Sequence, residues 1–200
     1  AKTINLALMY GMGQTRLAEQ LDVSTDEAKR LMAQYHTDVP FVKELQEVVQ
    51  RQVSKKAGSG FIRSLLGRKC RFNLWEPNLF LSSKALQKAE ALIEYGDNIK
   101  RAYTYRALNR LIQASAADQT KASMVEVHKQ TGKVPLVQIH DELAFSVEDQ
   151  AEAENLCAIM EKGAPLQVPT PCDISLGGSW GDLSKVDIKD ISRNIPEEDL

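Results

Sequence analysis

Histidine and cysteine are scarce in this 200-residue sequence, with three of each. Cys70, Cys157 and Cys172 form no C-x-x-C pair and are odd in number. That argues against a disulfide framework or a zinc knuckle and fits a reducing compartment. His36, His128 and His140 are too few for a His-rich metal site. No apolar run approaches the ~18 residues a membrane span needs. The mixed, amphipathic stretch after Lys2 is not expected to be a secretory leader. A net charge of -2 supplies no overall attraction to a polyanion, so any nucleic-acid role must arise from local patterning. What remains, 43% hydrophobic and 26% charged, is ordinary for a soluble globular chain. The length suits one domain or two small subdomains. No internal repeat or low-complexity tract interrupts it.

The spacing predicts a helix over residues 2–13, stopped by Gly11 and Gly13, with Lys2, Leu6 and Tyr10 on one face. The chain thus opens inside a helical pattern with no cap or loop before it, and a preceding segment is expected. Ser24-Thr25-Asp26-Glu27 is a capping box that opens a second helix to about Tyr35. Asp38 and Pro40 start a third, whose Phe41, Val42, Leu45, Val48, Val49 and Val53 form an apolar stripe. Residues 61–66 and 69–74 flank Gly67-Arg68 as a hairpin or extended loop. From Arg51 to Trp75 there are seven basic residues and no acidic one: Arg51, Lys55, Lys56, Arg63, Arg68, Lys69 and Arg71. Such an island is either a solvated face or a phosphate-backbone contact, and its alternation with glycine and aromatic residues favours the second. Residues 84–131 read as helices broken near Gly96-Asp97. Val134–His140 and Leu143–Val147 read as strands joined across Asp141-Glu142. A helix over 150–162 and a strand over 166–176 follow, closed by Gly177-Gly178 and Trp180-Gly181. The tail from Val186 has five acids and little periodicity, so partial disorder is expected there. The fold class is α+β, with a small antiparallel sheet toward the C-terminal half.

Three constellations could carry chemistry. His140-Asp141-Glu142 places adjacent carboxylates at a hairpin tip, where like charges repel unless a cation sits beside them. Magnesium takes carboxylate oxygens and keeps positions open for phosphate and water. The same three residues also read as a polar turn. Lys2 at a helix start can hold a phosphate chain, and Tyr10 offers a flat surface to a base; an amphipathic helix with one exposed lysine has the same pattern. Asn109 and Gln113, four apart with Arg106 one turn earlier, can reach minor-groove acceptors. Helical surfaces often carry such pairs.

In this order the segments resemble family A DNA polymerases, particularly phage ones. Lys2–Gly11 (KTINLALMYG) is similar to the family's fingers helix, K-x-x-x-[FY]-G-x-x-Y-G. Residues 106–118 (RALNRLIQASAAD) resemble its palm segment N-x-x-x-Q-[GS]-x-A-A-D. Val137–Leu143 (VQIHDEL) matches its motif C, and Gly177–Gly181 (GGSWG) resembles the closing motif near its C-terminus. The likeness covers roughly residues 1–183. It implies a helical fingers region over 1–80 with the basic stretch 51–71, a palm region over 81–183 with the motif C hairpin, and an acidic, flexible tail over 184–200. Together these would form an incomplete polymerase right hand.

By the same resemblance Lys2 contacts the phosphates of an incoming dNTP. Leu6 packs near its base and sugar, and Tyr10, followed by Gly11, guards the templating position. Asn109, Gln113 and Arg106 touch the minor groove of a DNA primer-template, and His140 lies near the primer end. Arg63, Arg68, Lys69 and Arg71 follow the backbone. Asp141 is a ligand of Mg2+, one of two ions, with Glu142 an auxiliary carboxylate. The location implied is the cytoplasm, a bacterial host's if the chain is phage-encoded.

Leu6 and Ala7 depart from the family's aromatic and glycine, and Ala114 from a common glycine. The family's other catalytic aspartate, in a strand such as D-Y-S-x-[IL]-E, has no counterpart in these 200 residues. The thumb and any proofreading exonuclease would lie upstream as well. The chain is therefore not expected to polymerise DNA alone. A split gene is the favoured expectation over a cleaved fragment, with an obligate N-terminal half covering an interface above ~1,600 Å². Two readings from other classes stand beside it: a non-catalytic DNA-binding subunit, and a metal-dependent nuclease built on His140 and Asp141.

Overall fold

The computed structural model describes residues 2–54, 59–78 and 83–186, with the side chains of all of these except Lys2, Thr3 and Leu6. Two compact units part within one long helix, between Ser115 and Ala116. The fold is mixed helix and small antiparallel sheets, in keeping with the expected α+β class.

The first unit opens with three packed helices: α1 (Lys2–Met9), α2 (Gln14–Leu21) and α3 (Thr25–Asp38). Helix α1 ends in a Schellman arrangement. Met12 N–H donates to Ala7 O and Gly11 N–H to Leu8 O, with Gly11 at φ 72°, where only glycine is unstrained. Ser24 caps α3 by accepting from Glu27 N–H at 3.1 Å. Helix α2 has no counterpart among the sequence expectations. Eight mixed residues carry little periodicity, yet Leu17 and Ala18 are buried with Ala7, Leu8 and Ala28. Tyr35 Oη donates to Asn5 Oδ1 at 2.7 Å and ties α3 to α1, while burial pushes its phenol pKa up.

Helix α4 (Pro40–Ser54) corrects the expected stripe. Val42, Val49 and Val53 are buried, but Phe41, Leu45 and Val48 are exposed. Six apolar positions fill two neighbouring ridges of one helix, and the strands β1 (Phe61–Arg63) and β2 (Lys69–Arg71) pack against Val49 and Val53 of the first. Here Val49, Val53, Ile62, Phe72 and Ala107 form one core cluster. Burying an aliphatic side chain such as Val53 contributes roughly 1.5–3 kcal/mol.

Residues 84–131 are less helical than their composition suggests. Strands β3 (Leu74–Pro77), β4 (Leu86–Gln87) and β5 (Ile99–Arg101) form a sheet in the order β4-β3-β5, all antiparallel. Helix α5 (Lys88–Tyr95) packs on it through Ala91, against Trp75 and Ile99. The expected break near Gly96 is present, since Gly96 caps α5 at φ 70°. A 3-10 turn, Thr104–Arg106, then leads into α6 (Ala107–Thr131).

The second unit holds the rest of α6, the hairpin β6 (Val137–Ile139) and β7 (Glu142–Ala144), α7 (Gln150–Glu161), and the hairpin β8 (Ile174–Leu176) and β9 (Ser184–Val186). Asp149 caps α7 by accepting from Glu152 N–H. The strand expected over 166–176 shrinks to β8, because Pro165, Pro169 and Pro171 deny ladder donors before it. Small sheets occur in both units, not only in the C-terminal half. Of the expected tail, residues 184–186 form β9, and 187–200 lie outside the described residues.

Candidate polymerase site

The β6–β7 hairpin pairs Val137 with Ala144, Gln138 with Leu143 and Ile139 with Glu142. Its two-residue turn is therefore His140-Asp141, one position earlier than the sequence suggests. Just beyond β7, Phe145 and Val147 pack against the cluster of Val127 and Leu156, while Glu142 at the start of the strand is exposed. His140 sits at φ 52°, a left-handed conformation uncommon for residues with a Cβ. Gln138 Nε2 donates to His140 O at 3.1 Å and braces the turn.

Asp141 and Glu142 are both exposed, and among the described residues neither side chain has a hydrogen-bond or ion-pair partner. Behind them the hairpin is anchored by Lys133, whose Nζ lies 2.7 Å from Glu152 Oε1 and donates to Ser146 O at 2.8 Å. The Lys133 hydrogen bond to Glu152, then the one from Glu148 N–H, holds the Glu152 carboxyl below the usual carboxylate range. The carboxylate oxygens of Asp141 and Glu142 suit a hard divalent ion such as Mg2+.

In the first unit, β1 pairs with β2 so that Phe61 opposes Arg71 and Arg63 opposes Lys69. These four share the face turned away from buried Ile62. Arg63 and Lys69 both lie over the Phe61 ring, at 5.4 and 4.8 Å. Directly opposed like charges destabilise a strand pair unless an anion sits between them. Arg68 is exposed, and its Nη2 donates to Ala114 O at 2.9 Å, while Leu65 N–H donates to Ser115 Oγ. Lys55 and Lys56, also in the expected basic island, lie outside the described residues.

Arg106 is exposed, bonded to Tyr105 Oη at 3.0 Å and stacked on Tyr103. Asn109 is half-buried and Gln113 exposed. Sequence reasoning missed Arg110, which lies 4.7 Å from the Phe72 ring centroid and donates to Arg71 O. With Arg71, Asn73 and Tyr103 it lines a cavity of about 280 Å³. Its signal was its place directly after Asn109 in the recognised helix. Lys2 and Leu6 lie on α1, Tyr10 just beyond its end and exposed. The side chains of Lys2 and Leu6 are outside those described.

The sequence profile of DNA polymerase family A matches residues 1–182. The chain belongs to DNA polymerase family A. It is 31% identical to a DNA-directed DNA polymerase of Pseudomonas phage M6 over 215 residues, covering 90% of this chain and 29% of that protein. It is 32% identical to DNA polymerase I of Treponema pallidum over 192 residues, covering 92% of this chain and 17% of that protein. Among solved structures it is similar to the POL domain of Pol1 from M. smegmatis, in complex with DNA primer-template and dNTP. That similarity has a TM-score of 0.61 and 32% identity, over 84% of this chain and 28% of the other. The chain thus spans less than a third of these family A relatives. Family A polymerases generally use divalent metal ions. No described helix is long and apolar enough to cross a membrane.

Proposed function

We propose that the chain supplies fingers and palm elements for template-directed DNA synthesis, the transfer of a nucleotidyl group from a dNTP to a primer 3′-OH. The observation that carries the reading is the pair Asp141 and Glu142, displayed without partners at the tip of a braced hairpin. Asp141 would ligate Mg2+, with Glu142 auxiliary to it, and two ions would be shared with a carboxylate outside these 200 residues. Mg2+ so bound supplies charge neutralisation at the phosphates and an activated primer hydroxyl.

The chain's own groups do the remaining work. Lys2 neutralises the triphosphate, Leu6 lies by base and sugar, and Tyr10, set by the Gly11 turn, guards the templating position. Asn109, Gln113 and Arg106 meet the minor groove, and His140 the primer end. Arg63, Arg68, Lys69 and Arg71 follow the backbone phosphates, which would relieve the opposed charges of the β1–β2 face.

The thumb and the second catalytic aspartate come from polypeptide outside these residues. The exposed Leu136, Val137 and Ile139 at β6, and Phe41, Leu45 and Val48 on α4, support an extensive contact with it. Primer extension tests the proposal. Expected is no extension by this chain alone with Mg2+ and four dNTPs, and extension once the upstream part is added. Extension at a normal rate by the isolated chain would overturn the account of the missing aspartate. DNA binding without extension by the assembled protein would favour the non-catalytic reading.

Leu6 offers less flat surface than the family's aromatic. In the assembled enzyme, Leu6→Phe and Leu6→Tyr should speed nucleotide addition and alter discrimination against 2′,3′-dideoxynucleotides; unchanged rates and selectivity would remove any role for this position.

A further inference from the structure

Three side chains of the second unit converge on the far side of α7 from any role given above. Cys157 and Glu161, four residues apart, share one face of α7, and the proline-rich segment after it delivers Cys172 to the same point. Their ligand atoms all lie within 4.8 Å of one another. Cys157 Sγ is 3.9 Å from Glu161 Oε1 and 3.7 Å from Cys172 O. Cys172 N–H donates to Glu161 Oε1 at 2.8 Å, which fixes that carboxylate in place. Cys157 is buried, whereas Glu161 and Cys172 are half-buried. A cysteine used only as a small core filler faces hydrocarbon. This one has Ala153 and Ile174 beside it but directs its sulfur at a carbonyl and a carboxylate.

The geometry points to a Cys157–Glu161–Cys172 site for a thiophilic divalent ion, Zn2+, with its fourth position open to solvent. Two thiolate ligands disfavour a hard ion such as Mg2+ as the occupant, and select zinc or its spectroscopic substitutes. Zn–S bonds of about 2.3 Å and Zn–O bonds of about 2.0–2.2 Å in a tetrahedron separate ligand atoms by roughly 3.5–3.8 Å. Side-chain rotation of about an ångström closes the present cluster to that spacing. Each thiol gives its proton to solvent as the ion binds, so two protons leave per ion. The ion would pin the proline-rich segment, and with it β8, to α7. The site does not depend on the polymerase reading: it shares no residue with the hairpin that carries Asp141.

The experiment uses the full chain kept reduced by a phosphine, with excess Mg2+ present. Titration with Co2+ is expected to give the near-ultraviolet charge-transfer band of a two-thiolate site at one ion per chain. Zn2+ should abolish that band and raise the thermal midpoint. Cys172→Ser, at a half-buried position, should weaken binding by roughly tenfold or more, and so should Glu161→Gln, which keeps an acceptor for Cys172 N–H. Cys70→Ser, on β2, should change nothing, and circular dichroism checks that each variant is folded. No thiolate band, a band of single-thiolate intensity, or a Cys172→Ser variant that binds like the parent would each overturn the assignment. Polymerase activity is not a readout, so failure of either idea leaves the other standing.

Discussion

Asp141→Ala should reduce primer extension by the assembled polymerase about a thousandfold or more, the scale expected when a group that stabilises developing charge is removed. Glu142→Ala should cost less, on the order of tenfold, because its strand position sets it beside rather than at the turn. Neither change should disturb the fold, since both side chains are exposed and exposed substitutions usually fall within about 0.5 kcal/mol. Primer-template affinity measured without nucleotide should be nearly unchanged. The split between lost turnover and kept binding is the diagnostic result. Full activity in the Asp141→Ala complex would reduce the chain to a DNA-binding subunit.

The second large effect is on stability. An added Cβ at Gly177 would collide with the backbone carbonyl of Asp182, across the loop that joins β8 to β9 just beyond the Leu176–Ser184 pair. Gly177→Ala should therefore cost roughly 3 kcal/mol, the upper range for forced overpacking. The damage would spread, because Ile174, Leu176 and Val186 cover Ala153 and Cys157 of α7. Gly178, one residue on, has no atom within 4 Å of an added Cβ, so Gly178→Ala should be nearly neutral. Urea unfolding of the two variants side by side gives the comparison. Equal midpoints would mean that the glycine pair serves some purpose other than close backbone approach.

Local chemistry made much of the fold legible. Ser24 announced α3, Pro40 the start of α4, and Gly67 the turn of the basic hairpin, because each acts on its own backbone within a few residues. The β4-β3-β5 sheet was invisible: strands of two to four residues have no measurable period, and β5 joins β3 across more than twenty residues. The exposed ridge of α4 could not be told from the buried one, since hydrophobicity says that a face is covered, not by which chain. The candidate catalytic residues drew notice by their chemistry, but only the resemblance favoured that reading over a polar turn or an amphipathic helix. Asp141 and Glu142 alone read as a turn, and so they are, in part. Cys157 and Glu161 stand four apart on α7, but no spacing rule brings Cys172 to them; a proline-rich segment rather than a motif does.

Several long-range ties in this molecule end on main-chain oxygen: Arg68 on Ala114, Arg110 on Arg71, Lys133 on Ser146, and Ser123 on Met160. Every residue type has a carbonyl, so the accepting position is under no pressure to remember its role. The donor alone carries the inheritance. Ala114 illustrates it: the accepting oxygen would survive replacement by glycine or serine, while a change at Arg68 has no compensating change across the contact. Correlated substitution, the usual footprint of two residues that touch, should be faint at these positions, and the framework around the candidate site would drift at one end of each tie while the other stays fixed.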